Sequence, residues 1–215
     1  MRELKLRLYV ITYADPAAGR GHLEVAGAAL DGGADAIQLR GKEMGGREMY
    51  GLASHISSMA RERRGGCLLF VNDRVDVAMA AGADGVHLGQ DDLALEPARS
   101  LAGMDMIVGI SATTVEQAEE AEAAGADYLG VGPVFATPSK PDAVAPMGLE
   151  GLKRIRDAVE LPIVAIGGIG MDNAKQVFES GADGIAVISA VTGAADMTEA
   201  VRGLRRLVDD CLLGR

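Results

Sequence analysis

The sequence alternates short apolar segments with longer segments of helical periodicity, and this alternation restricts the possible folds more than any other feature. Short apolar runs bounded by turn residues are typical of buried parallel strands. The predicted strands are Leu8–Thr12, Ala36–Arg40, Leu68–Asn72, Gly85–Gly89, Met106–Ser111, Tyr128–Val134, Pro162–Ile166 and Gly184–Ser189. The predicted helices are Leu23–Asp31, Arg47–Arg63, Val75–Ala81, Leu95–Leu101, Val115–Ala124, Leu149–Val159, Asn173–Ser180 and Met197–Leu213.

Strict alternation of this kind predicts an α/β fold, and right-handed crossovers allow the array to close into a (β/α)8 TIM barrel. The composition agrees, because the chain is 48% hydrophobic but only 3% aromatic and contains no Trp. A core of Val, Ile, Leu, Ala and Met is typical of a parallel sheet covered by helices. No linker interrupts the pattern, so we expect residues 1–215 to form one barrel domain.

A Gly-Ala-Asp triplet occurs four times, each time between a predicted helix and an even-numbered strand. Glycine suits the left-handed position that ends a helix, and aspartate suits the turn that follows. The pattern indicates a barrel built from four similar quarters. The copies are Gly33–Asp35, Gly82–Asp84, Gly125–Asp127 and Gly181–Asp183.

Charge and composition exclude several classes of partner. The formal net charge is −10, which disfavours binding to nucleic acid. No apolar run approaches the length of a membrane span, so we expect no membrane association. Two isolated cysteines, Cys67 and Cys211, favour a reducing compartment, and we expect a cytoplasmic protein. The oligomeric state is left open, with a homo-oligomer as one alternative.

The last two predicted strands, the seventh and the eighth, end in residues with small side chains or none. These ends are the segments Ile163–Gly170 and Gly184–Ser189. Backbone N–H groups just past such strand ends can bind an anion, and the loops after strands 7 and 8 of barrels frequently bind phosphate. Gly168 and the pair Ile188–Ser189 are therefore predicted to hold a monophosphate.

Other strand ends carry charges that suit a diphosphate. Arg40, Lys42 and Lys140 follow predicted strands, whereas Asp73 and Asp92 follow two neighbouring strands. Magnesium is commonly held by one or two carboxylates together with substrate phosphate oxygens. We therefore predict a Mg²⁺–diphosphate site and small phosphorylated molecules as substrates.

Each of these residues also has a purely structural interpretation. Asp73 could cap the following helix, the cations could form salt bridges, and Gly167–Gly168 could be a tight turn. The histidines receive no role from the sequence: His22 and His55 are expected to be surface or packing residues. His87, within a strand, is expected to be a hydrogen-bonded core histidine.

Six motifs in order at the strand ends resemble the thiamine-phosphate synthase family, and the likeness runs from about Leu8 to Leu207. The motifs are Gln38–Lys42, Val71–Asp73, Gly85–Asp92, Gly132–Lys140, Ile166–Ile169 and Gly184–Ser189. Members of that family are barrel enzymes that join the pyrimidine and thiazole halves of thiamine. The resemblance implies a transferase that releases pyrophosphate, leaving a pyrimidinylmethyl cation that the thiazole nitrogen captures.

The resemblance also implies roles for individual residues. It implies Asp73 and Asp92 as Mg²⁺ ligands, and Arg40, Lys42, Ser111 and Lys140 as catalytic groups. The implied pyrimidine diphosphate site is Gln38, Leu39, Arg40, Gly41, Lys42, Asn72, Ser111 and Lys140. The implied thiazole phosphate site is Thr137, Pro138, Ser139, Gly168, Ile188 and Ser189.

The chain departs from the family pattern at two positions, and two other functions are weighed against the synthase. Gly41 stands where an acidic residue is common, and Thr113 stands where the family usually has histidine. A thiazole tautomerase, a paralogous isomerase, would need that histidine as its base and would have no use for Asp73 and Asp92. A non-catalytic phosphate-binding protein would retain the phosphate cradle formed by Gly168, Ile188 and Ser189 but would not catalyse the reaction.

Overall fold

The computed structural model describes residues 4–14, 19–63, 66–137 and 145–213. The strands pair in parallel in the order β1 to β8, and β8 pairs with β1, which closes a (β/α)8 barrel. The predicted fold class is therefore confirmed. The strands are β1 Leu8–Ile11, β2 Ala36–Leu39, β3 Leu68–Asn72, β4 Gly85–Leu88, β5 Ile107–Ala112, β6 Tyr128–Val131, β7 Ile163–Ile166 and β8 Gly184–Val187.

The helices cover the outside of the barrel and lie close to their predicted positions. They are α1 His22–Gly32, α2 Gly46–Glu62, α3 Val75–Ala81, α4 Leu95–Ala102, α5 Val115–Ala123, α6 Gly148–Ala158, α7 Ala174–Glu179, α8 Ser189–Thr192 and α9 Met197–Leu213. The short α8 lies where the sequence predicted the end of strand β8. Within the described part of the chain, no helix combines the length and apolar character needed to cross a bilayer.

Strand β6 is shorter than the sequence predicted. The expected strand ran to Val134, but the observed strand ends at Val131. Proline has no N–H to donate to a ladder, and Pro133 follows almost at once. The chain beyond β6 is instead tied to β7, where Val134 N–H donates to the carbonyl of Ile166 at 2.8 Å.

Side chains along each strand alternate between two separate cores. On β1, Leu8 and Val10 pack among residues that face the helices, whereas Tyr9 and Ile11 face the barrel interior. The interior core also contains Leu6, Ala36, Phe70, Tyr128, Val164 and Ala186. The rings of Tyr9 and Phe70 lie 5.3 Å apart between centroids, and those of Phe70 and Tyr128 lie 5.6 Å apart. These aromatic rings fill part of the interior that the strands enclose.

The four Gly-Ala-Asp repeats close the N-terminal end of the barrel. Their glycines all adopt positive φ, between 61° and 101°, as the sequence predicted. Each aspartate, however, reaches beyond its own turn and accepts a hydrogen bond from a backbone N–H at the start of the preceding odd-numbered strand. The pairs are Leu8–Asp35 at 2.8 Å, Leu69–Asp84 at 2.8 Å, Val108–Asp127 at 2.7 Å and Ile163–Asp183 at 2.9 Å.

Candidate active site

A cavity of about 340 Å³ opens at the C-terminal ends of the strands. Its volume lies within the range of small-ligand sites. The residues that line it come from every strand or the loop that follows it. They are Tyr9, Ile11, Gln38, Arg40, Lys42, Asn72, Asp73, His87, Gly89, Gln90, Asp91, Asp92, Ser111, Thr113, Gln117, Tyr128, Gly130, Gly132, Pro133, Thr137, Val164, Ile166, Gly167, Gly168, Ile169, Ala186, Val187, Ile188 and Ser189.

One side of the rim brings together the predicted cations and carboxylates. Arg40 and Lys42 follow β2, Asp73 follows β3, and Asp92 follows β4. Burial and the carboxylate of Asp92 raise the pKa of Asp73 to about 6, although Lys42 and Arg40 oppose the shift. The two carboxylates are therefore close enough to repel one another, with two cations beside them.

The backbone at Asp73 is unusual. Among the described residues it is the one non-glycine residue with positive φ, at 63°. Such backbone strain tends to occur at functional positions. The alternative that Asp73 caps α3 is wrong, because the N-cap residue of α3 is Arg74. Asp92 is held by Gly89, whose N–H donates to its Oδ2 at 2.7 Å.

This pair of carboxylates fits a hard divalent cation. The raised pKa of Asp73 beside the Asp92 carboxylate marks a place where added positive charge is favourable. Among the described residues there is no group of three or more His, Cys, Asp or Glu that could hold a metal. Magnesium needs only one or two carboxylates when substrate phosphates complete its shell, so the two carboxylates fit Mg²⁺.

On the opposite side of the rim, the described residues that line the cavity carry no charged side chain. This side is formed by Thr137, the turn at Gly167–Gly168, Ile188 and Ser189. Both glycines have positive φ, at 103° and 62°, so the turn that the sequence offered as an alternative is present and also lines the cavity. Helix α8 begins at Ser189. The Val191 N–H already donates to the Ile188 carbonyl at 3.0 Å, so the N–H groups that α8 offers to an anion are those of Ser189 and Ala190.

The floor of the cavity contains a chain of polar groups that the sequence did not reveal. Gln38 Nε2 donates to the Tyr9 hydroxyl at 3.0 Å, and the Tyr9 hydroxyl lies 3.1 Å from that of Tyr128. His87 joins Tyr128 to Ser111 through its two ring nitrogens, at 3.0 and 2.9 Å. Period-two alternation along β1, β4 and β6 was the available signal, because these side chains all face inward.

His87 was expected to be a hydrogen-bonded core histidine, and it is one, but it also lines the cavity. The other two histidines lie outside the cavity wall. His22 Nδ1 is 2.7 Å from the hydroxyl of Thr12, and His55 is exposed on α2. Their expected roles in packing and at the surface agree with these positions.

Some residues of the implied substrate sites do not line the cavity. Leu39 is fully buried and packs among the helix-facing residues, because β2 alternates and Gln38 takes the inward position. Gly41 accepts a backbone hydrogen bond from Met44 outside the cavity wall. Only the backbone of these two residues could reach a ligand. Pro138, Ser139 and Lys140 lie outside the described residues.

Thr113, which replaces the usual family histidine, is bound to its own helix. Its N–H and its hydroxyl both donate to Oε1 of Gln117, at 2.7 and 2.8 Å. Thr113 therefore closes the turn before α5, although it also lines the cavity. A hydroxyl held in this way does not supply a base.

Comparisons with known proteins agree with the geometry. The sequence model of the thiamine monophosphate synthase family matches residues 8–191. A thiamine-phosphate synthase from Moorella thermoacetica is 53% identical over 201 residues, which are 94% of this chain and 95% of that protein. One from Pyrococcus furiosus is 49% identical over 208 residues, covering 97% of each chain.

A solved structure extends the similarity to three dimensions. The thiamine phosphate pyrophosphorylase from Pyrococcus furiosus superimposes with a TM-score of 0.87 at 47% identity, covering 97% of this chain and 98% of that one. Both the sequence match and the structural match therefore extend over nearly the whole chain. The chain belongs to the thiamine-phosphate synthase family.

Proposed function

We propose that this protein is a transferase that condenses hydroxymethylpyrimidine diphosphate with thiazole phosphate, giving thiamine phosphate and pyrophosphate. The observation that supports the proposal is that one cavity has a charged side and, opposite it, a side of small residues and backbone. Arg40, Lys42, Asp73 and Asp92 lie on one side of the rim, and the uncharged turn at Gly168 and Ser189 lies on the other. Two differently charged substrates can therefore be held in one space.

The pyrimidine ring is proposed to lie on the cavity floor, between the two sides of the rim. Ile11, Val164 and Ala186 supply apolar surface there, and the amide of Gln38 supplies a polar contact. Gln38 is buried and bonded to Tyr9, so it is placed for the ring rather than for the diphosphate. A ring seated in this way directs its diphosphate toward the charged side of the rim.

The charged side stabilises the leaving group. The Arg40 and Lys42 cations, with the side chains of Asn72 and Ser111, are placed to bind diphosphate oxygens that gain charge as the C–O bond breaks. Lys140 is proposed to join them from the loop after β6. Asp73 and Asp92 would hold Mg²⁺, which would supply further positive charge for the departing pyrophosphate.

The uncharged side holds the second substrate in line. Gly168, Ile188 and Ser189, with Thr137, Pro138 and Ser139, are proposed to bind the thiazole phosphate. The thiazole nitrogen then captures the pyrimidinylmethyl cation that is left when pyrophosphate departs. The nitrogen carries no proton in this reaction, so no general base is required, and the rate depends on position and charge.

The tautomerase alternative is less well supported. Its proton transfers need a base in the loop after β5, and the hydroxyl hydrogen of Thr113 in that loop is donated to Gln117. The retained pair Asp73 and Asp92 suits a diphosphate reaction. Cytoplasmic location and Mg²⁺ dependence remain part of the proposal.

The test is to incubate the purified protein with both substrates and Mg²⁺ and to measure pyrophosphate and thiamine phosphate. We expect one pyrophosphate for each thiamine phosphate formed, and loss of both when Mg²⁺ is chelated. Isomerisation of a thiazole without pyrophosphate release would favour the tautomerase. Binding of thiazole phosphate without turnover would favour the non-catalytic alternative.

A further inference from the structure

A continuous chain of hydrogen bonds crosses the interior of the barrel beneath the proposed site. It runs from the amide of Gln38 through the hydroxyls of Tyr9 and Tyr128 and the imidazole of His87 to the hydroxyl of Ser111. Tyr9 and Tyr128 are each only 1% exposed. The proposed function uses Gln38 and Ser111 at the two ends but does not explain the three residues between them.

The direction of this chain follows from the amide at its start. Gln38 Nε2 can only donate, so the Tyr9 oxygen accepts from it. The hydrogen of Tyr9 must then go to its other contact, the Tyr128 oxygen, because a buried hydroxyl hydrogen without an acceptor is costly. Burial raises the pKa of both tyrosines well above the ordinary value, so both retain their hydrogens.

The same reasoning determines which ring nitrogen of His87 carries the hydrogen. Since Tyr128 accepts from Tyr9, its own hydrogen goes to Nδ1 of His87, which must be unprotonated. The neutral ring then carries its hydrogen on Nε2 and donates it to the Ser111 oxygen. The hydrogen of Ser111 is left to point elsewhere, and Ser111 lines the cavity.

We propose that Tyr128 is a positioning residue that holds His87 as the tautomer protonated on Nε2, so that the Ser111 hydroxyl donates its hydrogen to the diphosphate substrate. The opposite tautomer would make Ser111 donate to His87, which would turn only lone pairs toward an anion. Tyr128 is well seated for this role, because a Cβ on Gly109 would lie only 2.1 Å from its Cζ. The catalytic half of the inference rests on the proposed function, whereas the tautomer does not.

The tautomer can be measured in the substrate-free protein by nitrogen NMR of ¹⁵N-labelled histidine. The variants His22→Asn and His55→Gln assign the third signal to His87 by elimination. We expect a protonated Nε2 and an unprotonated Nδ1 near neutral pH. A proton on Nδ1 would overturn the proposal, whether or not the protein makes thiamine phosphate.

Two matched hydroxyl deletions test which tyrosine sets the tautomer. Tyr128→Phe removes the donor to His87, so we expect the Nδ1-protonated form to appear. Tyr9→Phe removes a hydroxyl from the same buried cluster but leaves the Tyr128–His87 bond, so the Nε2-protonated form should persist. The proposal fails if the two variants change the His87 signal alike.

A double-mutant cycle tests the link to Ser111. Tyr128→Phe should lower kcat about tenfold, the scale of one lost hydrogen bond, while KM for thiazole phosphate stays constant. In the Ser111→Ala background the same change should lower kcat less than about twofold, because Tyr128 acts through Ser111. An equal tenfold loss in both backgrounds would contradict this route. Circular dichroism and thermal unfolding confirm that each variant is folded.

Discussion

The two ends of the barrel use the same residue type in opposite ways. At the N-terminal end, the four repeat aspartates each accept a strand N–H, and Arg205, Arg99 and Arg156 neutralise Asp35, Asp127 and Asp183. At the C-terminal end, Asp73 and Asp92 face one another instead. The N-terminal carboxylates are therefore paired within the protein, whereas the C-terminal pair is a candidate site for a bound cation.

A surface depression is not by itself a ligand-binding site, and the N-terminal end of the barrel provides an example. A depression there is lined by Arg156, Glu160 and Asp183 among others. The guanidinium of Arg156 already has partners within the protein: it binds the Asp183 carboxylate at 3.1 Å and the Leu161 carbonyl at 3.0 Å. At the C-terminal end, by contrast, Arg40, Lys42, Asp73 and Asp92 line a cavity whose floor carries both apolar side chains and hydrogen-bonded polar ones.

The largest expected effect comes from removing one of the facing carboxylates. Asp92→Ala should lower turnover by roughly two or more orders of magnitude, the scale expected when a preorganised charge stabiliser is lost. Thiazole phosphate affinity should barely change, because its proposed cradle lies on the other side of the rim. Turnover is measured as steady-state pyrophosphate release over a series of Mg²⁺ concentrations. Thiazole phosphate affinity is measured by titration calorimetry.

The matched control for this variant is Asp105→Ala, which removes an exposed carboxylate far from the cavity wall. It should leave turnover unchanged. A folded Asp92→Ala protein with near-normal turnover and unchanged Mg²⁺ dependence would contradict the metal assignment.

At the N-terminal end, removal of a carboxylate should affect stability alone. Asp127→Ala removes the acceptor of the Val108 N–H and the carboxylate beside the Arg99 guanidinium. We expect unfolding to become easier by about 2 kcal/mol, the cost of an unsatisfied buried group. The Tm should fall by about 4–8 °C, given the size of the chain. Activity per folded molecule should not change.

Asp127→Asn separates the two contacts, because its amide oxygen can still accept from Val108 while the charge is lost. Its loss of stability should be smaller than that of Asp127→Ala. A fall in kcat at a temperature where Asp127→Ala is fully folded would show that the two ends do not act separately.

The uncharged side of the rim gives an effect on one substrate only. Ser189→Asp places a carboxylate at the start of α8, where it would repel an incoming phosphate. We expect KM for thiazole phosphate to rise about tenfold, the scale of an unfavourable like-charge contact in a solvated site. KM for the pyrimidine diphosphate should stay the same. Ser58→Asp, on the exposed face of α2, is the control and should alter neither constant.

The sequence predicted the elements of the barrel well because burial on both faces makes each strand a continuous apolar run. It also predicted Asp73, Asp92, Arg40 and Lys42 as neighbours, since parallel strands bring their carboxyl ends to one rim. It missed the roles of Tyr9 and Tyr128. Inward-facing aromatic residues look like ordinary core until their hydroxyls are seen to meet across the barrel.

The contacts of the repeat aspartates are not visible in the local sequence for the same reason. Asp35 lies 27 residues from the N–H that it binds, so only the closed barrel brings the two groups together. Leu39 and Gly41 show the opposite case: they are adjacent to Arg40 in the sequence, but they do not line the cavity. Contacts between elements depend on register and closure, which local pattern does not determine.

The smallest expected effect is a gain in stability at the C-terminal rim. Asp73→Asn removes one of the two facing charges, and asparagine tolerates the positive φ of 63° that this position requires. In metal-free buffer we expect the variant to be more stable by up to about 1 kcal/mol, which raises Tm by about 2–4 °C. Turnover should fall at the same time, because the proposed metal site loses a charged ligand.

Addition of Mg²⁺ distinguishes relief of repulsion from relief of backbone strain. In the wild-type protein, Mg²⁺ should raise Tm, because a cation between two carboxylates binds the folded state preferentially. In Asp73→Asn, the same Mg²⁺ concentration should raise Tm less, since one ligand charge is missing. Differential scanning calorimetry with EDTA and with Mg²⁺ measures both shifts. Equal Mg²⁺ shifts in the two proteins would show that Asp73 does not bind the cation, and the contrast between the two ends of the barrel would then rest on Asp92 alone.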